Sequence, residues 1–271
     1  MDTLRSNVLE VVSEPEIFTS AANLVVRLGP ANQSSTTPAL KTVLRRNGPL
    51  PTEALYLGQA EDDFPVLLNL HDPLPGPLLI IGKESAGKTQ FLRSIAEFVR
   101  LACAPRNVQF GVITNRADEW QHALSGHPNC VGVFPSHRSG ARRFVQSLAM
   151  WIKSSVRSGQ SVLMLVDGFE ELSQWDAETR ECLHTILCNG TEQRVWPIMT
   201  LHPQHSEAVH EWLSLFHLRF FEHGLTPTDT EAALDVPQLT WVSPVSGNWF
   251  TLKEHSGWIR FWIPSVTEEI D

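Results

Sequence analysis

The sequence contains no apolar run of about 18 residues, and its N-terminus lacks a basic stretch followed by an apolar one. Neither a membrane span nor a secretory leader is therefore expected, and the expected location is the cytoplasm. Cysteine is scarce. Cys103, Cys130, Cys182 and Cys188 show no paired metal spacing and stand among apolar neighbours, which suits reduced core thiols better than disulfides or zinc ligands. Cys182 and Cys188 fall on one expected helix but too far apart for a shared ligand. Positive charge is also short, with 21 Lys and Arg against 30 Asp and Glu and a net charge of −9. Affinity for nucleic acid rests on neutralising phosphates, so a whole-surface attraction is excluded. A local stripe of Arg138, Arg142, Arg143, Lys153 and Arg157 on one expected helix keeps nucleic acid possible, although a solvated helix face explains it as well. The 11 histidines are scattered, and neither His202 with His205 nor His217 with His223 has the helical i, i+4 spacing and acidic company of a metal site.

What the sequence does contain is Gly82-Lys83-Glu84-Ser85-Ala86-Gly87-Lys88-Thr89-Gln90, set between the apolar stretch Leu78-Leu79-Ile80-Ile81 and a helical pattern through Phe98. Such a loop wraps phosphates with backbone N–H groups at a helix N-terminus, where the dipole also favours negative charge. Gly82 and Gly87 allow conformations and close approach that a Cβ would block. Lys88 would neutralise β- and γ-phosphate oxygens, and the Thr89 hydroxyl would be one Mg²⁺ ligand. Residues 82–90 are thus the expected nucleotide-binding set. A partner acid should end a second apolar strand, and Ser161-Val162-Leu163-Met164-Leu165-Val166-Asp167 meets that requirement. Asp167 is the second expected metal ligand. No Asn/Thr-Lys-x-Asp guanine-reading pattern occurs, so ATP is the expected nucleotide.

At 271 residues and 42% hydrophobic content, the chain can bury one large core, alone or with a small appendage. Residues 1–50 read as a helical segment and linker, with partly helical spacing over Asn7–Leu28, a loop from Gly29 to Pro38 and an amphipathic piece from Ala39 to Arg46. Residues 51–271 read as the nucleotide-binding domain. Two strands at 55–58 and 65–70 precede the loop, followed by strands at 108–114, 130–134, 162–167 and 195–201 and helices at 139–156 and 177–188. Strands alternating with helices imply an α/β fold, a mostly parallel sheet covered on both faces. From about 238 a β extension with short antiparallel strands at 238–242, 248–252 and 258–263 is expected. Trp241, Trp249, Trp258 and Trp262 in it either cap the core or mark a partner surface.

The order of these motifs resembles the FtsK/HerA family of P-loop NTPases over roughly Leu55 to Ile263. Gly82 to Thr89 matches its Walker A, and Leu165-Val166-Asp167-Gly168-Phe169-Glu170-Glu171-Leu172 resembles its Walker B. Loose matches surround them: Leu57-Gly58 with Pro65 to Leu70, Pro197 to Pro203, Leu218-Arg219-Phe220-Phe221, and Thr228 to Asp235. The resemblance implies a RecA/FtsK-like ATPase domain that works with ATP, Mg²⁺ and a protein partner or oligomer. Three positions depart from it. Gly168 stands where the family has its water-activating Glu, Leu201 where it has a γ-phosphate-sensing Gln, and Glu231 where it has an Arg delivered in trans. An arginine finger alone is worth about 10³–10⁵ in rate, so binding with weak or partner-dependent hydrolysis is expected. Glu170 or Glu171 could replace the missing base, or both are solvated acids in a first helical turn, and Arg219 is a further candidate cation. An active motor moving DNA or polypeptide, and a nucleotide-stabilised interaction scaffold, remain the alternatives.

Overall fold

Alternation along the central strands sorts their side chains onto two opposite core layers, because successive residues of a strand face opposite ways. The computed structural model describes residues 10–11, 37–124, 126–154, 159–222, 225, 248–254 and 257–266. Its strands are β1 (Glu10–Val11), β2 (Ala54–Ala60), β3 (Pro65–Asn69), β4 (Leu78–Ile81), β5 (Val108–Thr114), β6 (Cys130–Pro135), β7 (Ser161–Asp167), β8 (Val195–Leu201), β9 (Leu218–Glu222), β10 (Trp249–Glu254) and β11 (Gly257–Trp262). They form one sheet in the order β1-β3-β2-β11-β10-β9-β4-β8-β7-β5-β6. The block from β9 to β6 is parallel throughout, and the antiparallel strands extend it on the β9 side.

The helices are α1 (Leu40–Asn47), α2 (Lys88–Ala102), α3 (Ala117–Leu124), α4 (Ser139–Lys153), α5 (Ala177–Asn189) and α6 (His210–Leu213). Leu78 and Ile80 of β4 join Phe91, Leu92 and Ile95 of α2 in one layer, while Leu79 and Ile81 join Val145 of α4 and Leu183 of α5 in the other. The α/β expectation, with helices on both faces and short antiparallel strands near the C-terminus, is met.

The segment at 37–47 is built into this body. Leu40 and Val43 sit in the α2-side core, and Leu40 N donates to Ser265 O at 3.0 Å. Of the helical spacing read over Asn7–Leu28, only Glu10–Val11 is described, and it pairs antiparallel with β3. The strand expected at 238–242, Trp241 and the side chain of Trp258 lie outside the described residues. Trp262 packs on the core, and the Arg260 guanidinium lies 4.7 Å from the Trp249 ring centroid while pairing with Glu61 at 2.9 Å. One cysteine departs from expectation. Cys188 is exposed near the end of α5 instead of in the core, whereas burial pushes the Cys103 thiol up to about 11.

Gly190 makes the tight passage from α5 towards β8. A Cβ there would lie 2.3 Å from Ile186 O and 2.7 Å from Val195 O, both backbone atoms that cannot rotate away. Gly190→Ala is expected to lower Tm by about 5–10 °C, as overpacking against fixed backbone costs a few kcal/mol. A thermal melt within a degree of the parent would refute that.

Candidate nucleotide site

Residues 82–87 connect β4 to α2 at the C-terminal edge of the parallel block, where open α/β sheets place ligands. Gly87 caps α2 with φ 84°, and Ser85 also has positive φ at 62°. The loop turns sharply enough to aim the first N–H groups of α2 into a cleft. It is braced by the neighbouring strand β9, where Lys83 N donates to Glu222 Oε2 at 2.8 Å, and Asn248 approaches it closely enough that a Cβ at Gly87 would meet Asn248 Oδ1 at 3.2 Å. Lys88 folds back over the loop, Nζ donating to Gly82 O at 2.7 Å and Lys83 O at 2.6 Å. Burial lowers its pKa, against the attraction of Glu170, Glu222 and Asp167.

Asp167 ends β7 beside this helix start. Thr89 Oγ1 donates towards its carboxylate at 3.0 and 3.1 Å, and Thr200 Oγ1 lies 3.2 Å from Oδ1. Gly168 has φ 103° and donates its N–H to Thr200 Oγ1 at 2.9 Å. The chain then enters a 3₁₀ turn, Phe169–Gln174, anchored by Phe169 against Trp212 and Phe216. The turn separates the two glutamates. Glu171 is tied at both oxygens, to Asn115 Nδ2 and Ser136 Oγ. Glu170 has a buried Oε2 with no hydrogen-bond partner among the described residues, and burial is the main cause that raises its pKa, with His205 and Lys88 opposing.

These groups line a cleft of about 710 Å³ with residues 84–90, while Gly82 and Lys83 form the foot of the loop outside its wall. Five carboxylates, Glu84, Glu119, Asp167, Glu170 and Glu171, face three cationic side chains, Lys88, Arg93 and Arg116. A polyanion entering here needs an additional cation. The oxygens of Thr89 and Asp167 suit a hard divalent ion, and the turned loop with Lys88 across it suits phosphate, so the residues present are compatible with ATP and Mg²⁺.

Several cleft residues escaped the sequence reading: Arg93, Asn115, Arg116, Glu119, Thr200, His202, Gln204 and His205. Asn115 and Arg116 follow directly on β5, and His202 directly on β8. That position at a parallel strand's C-terminal end was the available signal. Leu201 is fully buried in the α4 and α5 layer, since strand alternation gives the cleft to Thr200. Arg219 is not a cleft cation. Its Nε and Nη2 donate to Phe216 O and Leu213 O at 2.8 and 2.6 Å, closing the end of α6. Glu231 lies outside the described residues.

Comparison with solved structures places this geometry. The cytoplasmic domain of the Thermomonospora curvata type VII secretion ATPase EccC superposes with a TM-score of 0.69 at 15% identity, over 87% of this chain and 33% of that one. The fold is that of the FtsK/HerA-type P-loop ATPases. EccC ATPases 2 and 3 in complex with a signal sequence peptide give a TM-score of 0.63 at 14% identity, over 93% of this chain and 46% of that one. The pCW3 conjugation coupling protein TcpA, in a monomer form with ATPγS, gives 0.64 at 12% identity, over 88% and 72%. The chain thus spans a third to a half of the EccC structures. No protein-family model matches the sequence, and no curated protein matches it. Among the described residues no helix is long and apolar enough to cross a membrane.

Proposed function

We propose that this chain binds ATP with Mg²⁺ in the cleft and hydrolyses it weakly, a protein partner or an oligomeric neighbour raising the rate. The observation that carries this is the convergence, at one helix N-terminus, of the Lys88 ammonium and the Thr89–Asp167 pair at 3.0 Å. Residues 84–90 would wrap the phosphates, with Lys88 exchanging its loop carbonyls for β- and γ-phosphate oxygens. Thr89 and Asp167 are the residues that would hold Mg²⁺, which when bound supplies charge neutralisation between those phosphates.

Weak turnover follows from what surrounds that centre. Gly168 carries no carboxylate, and Leu201 is buried where a polar γ-phosphate sensor is expected. Glu170 is the remaining base: its unpartnered Oε2 would take a proton from the water attacking the γ-phosphorus as the bond to the ADP oxygen breaks. That orphaned oxygen also favours a second reading, an active motor with Glu170 as its surrogate base. A net charge of −9 disfavours a DNA track, and the peptide complex of EccC supports a polypeptide as the substrate of such a motor.

Calorimetric titration of the purified chain with ATP and Mg²⁺, paired with phosphate release followed over hours, tests the proposal. Tight binding with slow release is expected. Absence of ATP binding would overturn it, and rapid steady turnover by the isolated chain would replace weak hydrolysis with the motor reading.

A further inference from the structure

Arg116 stands where a metal ion is expected to be held. Its Nη2 donates to Thr89 Oγ1 at 3.0 Å and lies 3.7 Å from Asp167 Oδ2, so one guanidinium touches both oxygen ligands proposed for Mg²⁺. Asp167 is buried while Arg116 is half exposed, which leaves the arginine free to swing outward without unpacking the core. A second seat is ready for it. Glu119 Oε1 lies 3.7 Å from Nη1, and Glu119 is itself held by Arg93 at 3.1 Å, whose guanidinium sits 5.4 Å from the Trp120 ring centroid.

We infer that Arg116 is an internal cation that competes with the divalent ion: it neutralises Asp167 and incoming phosphate when metal is absent, and must be displaced towards Glu119 when metal enters. The inference rests on the nucleotide reading above and deepens it. Two like charges cannot share the Thr89–Asp167 oxygens at contact distance, because their mutual repulsion is strong where solvent screening is reduced. The arginine therefore makes ATP binding less dependent on metal than the Thr89–Asp167 pair alone would.

The test is the ratio of ATP Kd in EDTA to ATP Kd in Mg²⁺, by calorimetry on the full chain. This ratio measures the coupling between metal and nucleotide. Arg116→Ala is expected to raise the ratio by about tenfold or more, through weaker binding in EDTA and equal or tighter binding in Mg²⁺. Arg116→Lys keeps the charge but not the guanidinium fork, and its ratio is expected to fall between those of the parent and Arg116→Ala. A ratio in Arg116→Ala equal to or below the parent's overturns the competition, as does Arg116→Lys behaving like Arg116→Ala. A parent chain that binds ATP in neither condition instead overturns the nucleotide reading and this inference with it. Binding that Arg116→Ala leaves unchanged in both conditions removes the competition alone.

Discussion

Lys88→Ala is expected to weaken ATP binding by about 100-fold or more while leaving the fold in place. The Lys88 ammonium makes two charge-assisted hydrogen bonds to the carbonyls of Gly82 and Lys83, both within 2.7 Å. Facing a triphosphate it would make equivalent bonds to phosphate oxygens, each worth about 1.5–3 kcal/mol net. Two of them correspond to roughly two or more orders of magnitude in Kd. The environment sharpens the effect. Burial lowers the pKa of Lys88, and Glu170 and Asp167 in the cleft, with Glu222 at the loop's foot, face it closely enough to oppose that shift, so removing the ammonium leaves their repulsion of a polyanion uncompensated. The fold should survive because α2 is held by Phe91, Leu92, Ile95 and Val99, which are fully buried, and none of these contacts involves Lys88. Calorimetry with ATP and Mg²⁺, alongside a thermal melt, checks both halves. Retained affinity in a well-folded variant would remove the loop from the binding site.

The parts of this site that one stretch of chain can encode were legible in the sequence. A loop between a strand and a helix states its own geometry, since the glycines, the lysine and the hydroxyl act within a few residues of each other, and Asp167 is marked by the apolar run it terminates. The strands at 108–114 and 195–201 coincide with β5 and β8 for the same reason, because buried parallel strands read as continuous apolar runs. What was not legible depends on elements distant in sequence. Arg116 matters only because β5 lies next to β7, which brings it to Asp167 across the sheet. Glu222 braces the loop and Asn248 approaches it because β9 pairs with β4 and β10 with β9. α3 was missed because Arg116, Asp118 and Glu119 hide the buried residues Ala117, Trp120 and Leu124 that attach it. The choice between Glu170 and Glu171 turned on a 3₁₀ turn, whose tighter winding gives the adjacent carboxylates different neighbours.

That difference makes Glu170→Gln the decisive substitution for hydrolysis. Phosphate release is expected to fall by about 100-fold or more, the ordinary contribution of a positioned general base, with ATP affinity changed by less than about threefold because a carboxamide of the same shape still fills the site. Glu171→Gln should spare the chemistry but loosen the ties to Asn115 and Ser136, lowering Tm instead. The pH dependence has a definite sign. Burial raises the pKa of Glu170, and only its ionised form accepts a proton, so turnover should climb as pH rises through a pKa above the usual carboxylate range. That limb should vanish in Glu170→Gln. Stability moves the other way. A group that binds its proton more tightly when folded adds stability below its unfolded pKa and loses it as pH rises through the folded one. At neutral pH the ionised carboxylate, buried and with its Oε2 unpartnered, therefore costs stability, and Glu170→Gln should melt at or above the parent's Tm, with the gap closing as the solution is acidified. A catalytic group held at a cost to the fold trades stability for activity: slower turnover together with a higher Tm marks Glu170 as the base, while unchanged turnover in this variant would sink that role and leave the chain as a nucleotide binder whose chemistry must come from a partner.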